Sequence, residues 1–155
     1  MAELPEQYRQ SKLDCHRVPS EAAVSRNPSS RHLYSVGAKD GQGGIAAFDQ
    51  AGQLLNHVVE EGAPLCYVAV DEERDLVYGA NYHKGQVLVY KRLANGRLEL
   101  ADSATHQGQG PHANQASAHV HYADLTPDQY LVTCDLGTDE VTTYDVRTLC
   151  SLAVR

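Results

Sequence analysis

Three aromatic residues set the frame for this chain. Phe48, Tyr90 and Tyr144 each close a short apolar run, at intervals of 42 and 54 residues. Each run follows a partner run across a turn. Arg31-His-Leu-Tyr34 precedes Gly44-Ile-Ala-Ala-Phe48, and Arg74-Asp-Leu-Val-Tyr78 precedes Gly85-Gln-Val-Leu-Val-Tyr90. Gln129-Tyr-Leu-Val132 precedes Glu140-Val-Thr-Thr-Tyr144 in the same way. Short strands recurring every roughly 40 to 50 residues are the mark of propeller blades, whose sheets cannot bury both faces alone and must stack on their neighbours.

Strands are expected at residues 32–37, 44–48, 53–59, 66–70, 76–80, 86–90, 97–101, 119–123, 130–134 and 140–144. The middle four make a complete four-stranded meander. Asn95-Gly96 between Leu93 and Leu98 is a hairpin turn signal, since both residue types tolerate positive φ. Asp49 to Gly52 supplies the equivalent turn in the preceding unit. The fold class is therefore all-β, a β-propeller fragment of about three four-stranded meander blades in an incomplete ring. Residues 1–30, polar and with prolines at 5, 19 and 28, are expected to be an irregular N-terminal segment, a remnant or altered first blade. Residues 31–146 are the partial propeller domain, and residues 147–155 a short irregular tail. A small β-sandwich is the competing architecture.

Composition narrows the partners. The net charge is -7, and no run of Lys or Arg interrupts it, so neither a nucleic-acid backbone nor an anionic membrane surface is expected to bind. No apolar stretch reaches the roughly 18 residues of a membrane span, and the polar start lacks the apolar core of a secretory signal. Cys15, Cys66, Cys134 and Cys150 form no Cys-x-x-Cys pair. Cys66 and Cys134 lie in apolar runs and are expected as buried free thiols, which suits a reduced cytoplasmic setting. Unpaired blade faces would favour self-association.

Five segments, in register with the repeat, carry a resemblance. They are Gly62-Ala-Pro-x-Cys-Tyr67-Val-Ala-Val-Asp71, Ala80-Asn-Tyr-His-Lys-Gly85, Gly108-x-Gly110-Pro111, Gln115-x-x-x-His119-Val-His121 and Asp135-Leu-Gly-Thr-Asp139. From Arg31 to Val146 the chain resembles the seven-bladed β-propeller lactonase family, which includes the propeller-type 6-phosphogluconolactonases. The resemblance implies hydrolysis of a sugar lactone, most directly 6-phosphogluconolactone, with no cofactor and no metal. It implies an active-site role for His121, six residues before Pro127-Asp128. The arginines and glutamate that complete such sites in relatives lie in later blades. Where the family usually shows an Arg beside the loop Gln, this chain has Asn114.

Lactone hydrolysis needs an activated water, a stabilised oxyanion and a held substrate. His119 and His121 stand two apart, so on a strand both rings share a face. His121 is the expected base or acid, with His119 orienting it or touching substrate. Asn81, Tyr82, His83 and Gln115 are the expected substrate-binding residues. Several of these have a structural alternative. The two histidines could be satisfied by backbone carbonyls, Asn81 could cap its turn, and the loop around Gln115 could be a solvated connection. Asp135 and Asp139 read as turn-shaping residues. A zinc site that adds His83, His106, His112 or Asp124 to the His-x-His pair is a weaker alternative. No Gly-x-Ser-x-Gly elbow marks a serine nucleophile. A truncated, inactive chain and a non-catalytic binding or interaction module stand beside the enzyme as alternatives.

Overall fold

The computed structural model describes residues 22–25, 31–146 and 153–154. The first sheet contains β1 (Ala22–Val24), β2 (Leu33–Lys39), β3 (Gln42–Phe48) and β4 (Leu54–Glu61). The second contains β5 (Tyr67–Asp71), β6 (Leu76–Asn81), β7 (Gln86–Arg92) and β8 (Leu98–Thr105). The third contains β9 (Val120–Leu125), β10 (Tyr130–Asp135), β11 (Glu140–Asp145) and β12 (Ala153–Val154). Each is an antiparallel meander in chain order, and the three are consecutive blades of a propeller.

The repeat inferred from the sequence is a real structural equivalence. Phe48, Tyr90 and Tyr144 pair across the second and third strands with Leu33, Val77 and Leu131. All three aromatic rings are buried.

Period-two alternation explains why the middle strands are apolar at every position. In β6, Leu76, Tyr78 and Ala80 face the third blade and pack with Val120, Ala123, Leu131 and Tyr144. Val77, between them, faces the first blade with Tyr34, Val36, Ile45 and Ala47. In β7, Val87 and Val89 point one way and Leu88 and Tyr90 the other. A strand buried on both faces has no polar side to keep, so its sequence reads as a continuous apolar run. The first strands lie together at the inner side, β5 against both β1 and β9.

Two strands fall where the sequence suggested irregular chain. β1, within residues 1–30, pairs with Leu33 to Ser35, and β12, within residues 147–155, pairs with Tyr144 and Asp145. They are three and two residues long, too short to display an alternation. The Asn95-Gly96 turn also differs in mechanism. Only Gly96 takes positive φ, at 82°, while Asn95 Oδ1 accepts the Arg97 N–H at 3.1 Å. Leu93 N–H donates to Arg97 O and Gly96 N–H to Leu93 O, closing the hairpin. Cys66 is buried as expected, but Cys134 is only half-buried. Cys15 and Cys150 lie outside the described residues.

Candidate active site

The turn from β6 to β7, the turn from β10 to β11, and the connections that enter β5 and β9 all lie at one end of the blades. The expected site residues are on these segments. Tyr82 and His83 follow β6, and His119 and His121 bracket the start of β9.

Tyr82 gathers three histidines. The His119 ring stacks on it, with centroids 4.4 Å apart and planes 8° apart. His121 meets it edge-on at 5.9 Å and 84°, and His83 edge-on at 5.4 Å and 81°. His119 Nδ1 lies 3.0 Å from the Tyr82 carbonyl oxygen. A carbonyl only accepts, so Nδ1 carries the proton and Nε2 of the neutral ring keeps its lone pair. The stack and the hydrogen bond together fix both the plane and the tautomer of His119.

His121 reaches the same tyrosine through a bulge. Cys134 pairs with Tyr122 and Asp135 with Val120, so His121 has no partner in the β9–β10 ladder. The extra residue breaks the alternation, and His121 and Tyr122 are exposed in succession. Strict alternation therefore does not describe this stretch, although both imidazoles still converge on Tyr82. The Cys66 thiol sits 3.6 Å from both the Val120 and the His121 carbonyl oxygens, against the bulge.

The other two expected substrate contacts have different surroundings. Asn81 is buried; its Nδ2 donates to Ala63 O at 3.1 Å and its Oδ1 accepts the Lys84 N–H at 3.2 Å. Its amide closes the turn and holds the incoming connection to β5. Gln115 Nε2 donates to Leu136 O at 3.0 Å and to Asp139 Oδ1 at 2.6 Å, while its Oε1 accepts the His112 N–H at 2.9 Å. Both amides are engaged within the protein and shape the segments that carry the imidazoles.

Beneath the site runs a buried polar chain that the sequence did not announce. His106 Nδ1 is 2.9 Å from Asp135 Oδ2, and its Nε2 is 2.7 Å from the Tyr144 hydroxyl. The His106 side chain is 8% exposed and that of Asp135 is fully buried. Burial, then the Asp135 charge, raises the Tyr144 pKa, so the hydroxyl keeps its proton beside Nε2. The other Asp135 oxygen accepts the His119 N–H at 2.7 Å, the Gly137 N–H at 2.8 Å and the Thr138 N–H at 3.2 Å. Asp135 thus anchors the backbone of His119. His106 and Asp135 were visible only as a metal-ligand candidate and a turn residue, because their partners lie 29 to 38 residues apart in the chain. Among the described residues, no three His, Cys, Asp or Glu side chains converge as metal ligands.

A second cluster continues along the inner strands. Tyr67 Oη donates to Asp124 Oδ2 at 3.0 Å, and the Tyr67 ring packs on Tyr122 at 4.7 Å. The sequence offered Tyr67 only as one residue of a family segment and Asp124 only as a candidate zinc ligand.

Comparison with known proteins matches the sequence and fold of this chain to one group. The family described as "Lactonase, 7-bladed beta-propeller" matches residues 8–152. A Lactococcus lactis (strain IL1403) protein named "Uncharacterized protein YwcC" is 59% identical over 136 residues, covering 82% of this chain and 40% of its own length. The 6-phosphogluconolactonase of Bacillus subtilis (strain 168) is 41% identical over 131 residues, covering 80% of this chain and 38% of its own. A crystal structure of a protein from Lactobacillus plantarum superposes with a TM-score of 0.80 at 46% identity, over 88% of this chain and 40% of that one. The chain spans about 40% of the length of the curated relatives it matches.

Proposed function

Because this chain belongs to the seven-bladed β-propeller lactonase family, we propose that it supplies the histidine-bearing blades of a hydrolase that opens a sugar lactone, 6-phosphogluconolactone first among them. The observation that carries the reading is the convergence of His119, His121 and His83 on Tyr82 at one end of the blades. The name of the Bacillus subtilis relative supports the choice of lactone.

The tautomer assigned to His119 suits a general base. Its Nε2 takes a proton from water as the water oxygen attacks the lactone carbonyl carbon. The tetrahedral intermediate collapses with cleavage of the bond to the ring oxygen. That oxygen leaves as the hydroxyl of the open acid and takes up one proton, so water is consumed and no proton is lost from the balance. His121, exposed on its bulge beside the same tyrosine, is placed to donate that proton or to hydrogen-bond the oxyanion. The roles of the pair are thus shared more evenly than the sequence suggested, with His119 as the better-oriented ring. Asn81 and Gln115 position these groups, and His83 and Tyr82 face the substrate.

The working setting is proposed to be the reduced cytoplasm, in keeping with the thiol state of Cys66 and Cys134. Among the described residues no helix is long and apolar enough to cross a membrane.

The test is hydrolysis of 6-phosphogluconolactone and glucono-1,5-lactone by the full chain, with His119→Ala and His121→Ala beside it. A rate above spontaneous opening, lowered about 10² to 10⁴-fold in either variant, is the expected result. No rate above background would remove the activity from this chain. Lactone binding without turnover would favour a binding module.

A further inference from the structure

The geometry points to Tyr67, Tyr122 and Asp124 as a subsite for the polyhydroxylated body of the substrate, next to the imidazoles that act on its ester. This inference rests on the lactonase reading for the identity of the ligand, but not for the existence of the site.

The bulge at His121 is the starting point. It presents His121 and Tyr122 consecutively on the exposed side of β9, where an unbroken strand would turn one of them into the blade stack. Tyr122 is 36% exposed, which is large for an aromatic ring at a packed strand. Its ring is not loose, because Tyr67 of β5 buttresses it at 4.7 Å with a 58° tilt. Tyr67 is held in turn by its hydrogen bond to Asp124 Oδ2. Two neighbouring first strands therefore build one surface, an aromatic face with a carboxylate beside it.

This surface matches the chemistry of a sugar. An aldonolactone or aldonic acid presents C–H groups on one side and hydroxyls around its edge. The C–H groups pack on the negative face of an aromatic ring. Asp124 spends one acceptor site on Tyr67 and another on the Leu125 N–H, 2.7 Å from Oδ1. A carboxylate accepts about four hydrogen bonds, so roughly two sites remain for hydroxyl donors. Burial, then the Asp124 charge, raises the Tyr122 pKa against a hydrogen bond with Tyr67 that lowers it, so the hydroxyl keeps its proton. A few oriented polar groups beside an apolar face are the usual construction of a small-ligand site.

The experiment uses the full chain and two readouts. Titration calorimetry with 6-phosphogluconate measures binding of the open acid, and initial rates on 6-phosphogluconolactone give kcat and KM. The variants are Tyr122→Ala, Asp124→Asn and Tyr67→Phe, with exposed Glu99→Gln as control and circular dichroism to confirm folding. Tyr122→Ala is expected to weaken binding and raise KM about tenfold with kcat nearly unchanged, Asp124→Asn likewise, and Tyr67→Phe less. Binding that falls in Tyr122→Ala while the wild type lacks turnover would retain the subsite and overturn the lactonase reading. Turnover in the wild type with an unchanged KM in folded Tyr122→Ala and Asp124→Asn would do the reverse. A wild type that neither binds nor hydrolyses would overturn both.

Discussion

The imidazole of His119 lies flat on the ring of Tyr82, 4.4 Å between centroids, while its Nδ1 is tied to the carbonyl of that same tyrosine. One residue thus holds the plane of the ring with its side chain and the tautomer with its backbone. These two contributions can be separated. Tyr82→Ala removes the stack and keeps the carbonyl, so lactonase activity should fall on the order of 10²-fold through loss of orientation. Tyr82→Phe keeps the face of the ring and should retain most of the activity. Initial-rate assays on both variants check this. Equal activity in wild type and Tyr82→Ala would mean the stack is not used.

Asp135 concentrates four hydrogen bonds on one buried carboxylate, from three backbone N–H groups and His106. Asp135→Ala strands all of those donors in a dry interior. The expected cost is about 3 kcal/mol or more, read as a fall in Tm of at least roughly 6 °C. Asp135→Asn keeps an acceptor for the turn and should lose less. Thermal melts followed by circular dichroism give the comparison, and an unchanged Tm in Asp135→Ala would show that the network carries no stability.

Gly137 marks the closest approach between that turn and the loop leading to His119. A Cβ there would lie 1.8 Å from Ser117 O and 2.8 Å from His119 N. Both neighbours are backbone atoms, so the loop must shift to admit even one methyl. Gly137→Ala should cost about 1 to 3 kcal/mol by overpacking and displace His119 from Tyr82. Activity should fall at least about tenfold while the blade core stays folded. Full activity in the folded variant would show that the position of the loop does not control the site.

What could be read from the chain and what could not divides along range of interaction. Leu76 to Ala80 and Val87 to Tyr90 announced themselves, because a strand buried on both sides is apolar at every position and its turns need Gly or Asx residues close by. β1 and β12 were missed, since three and two residues cannot express a period. The pairing of His119 with His121 was visible as spacing, but the bulge that exposes His121 depends on how Asp135 registers against Val120. Tyr82 appeared as one residue of a family segment and as an expected substrate contact, not as the residue on which the histidines meet. Its role as the common contact arises because the blade stack brings it to residues 37 and more positions away. The His106–Asp135–Tyr144 chain is hidden for the same reason. Asn81 and Gln115 show the converse limit, since an amide suited to grip a sugar is equally suited to tie two loops together.

The last prediction concerns pH and the blade core. Burial is the main cause that pushes the Tyr34 pKa up to about 12, against an ordinary value near 10, with nearby Arg92 pulling the other way. The neutral phenol is therefore favoured in the folded state. Below pH 10 both states hold the proton, and Tyr34 contributes no pH dependence. Between roughly pH 10 and pH 12 the unfolded chain releases the proton while the folded chain keeps it, so stability falls as pH rises. Two pKa units correspond to a loss on the order of 3 kcal/mol across that window. Tyr34→Phe removes this group and should flatten the slope of unfolding free energy against pH there relative to wild type. Urea titrations at pH 9, 10, 11 and 12 measure the two slopes. If they are parallel, the Tyr34 hydroxyl ionises as readily in the folded chain as in the unfolded one.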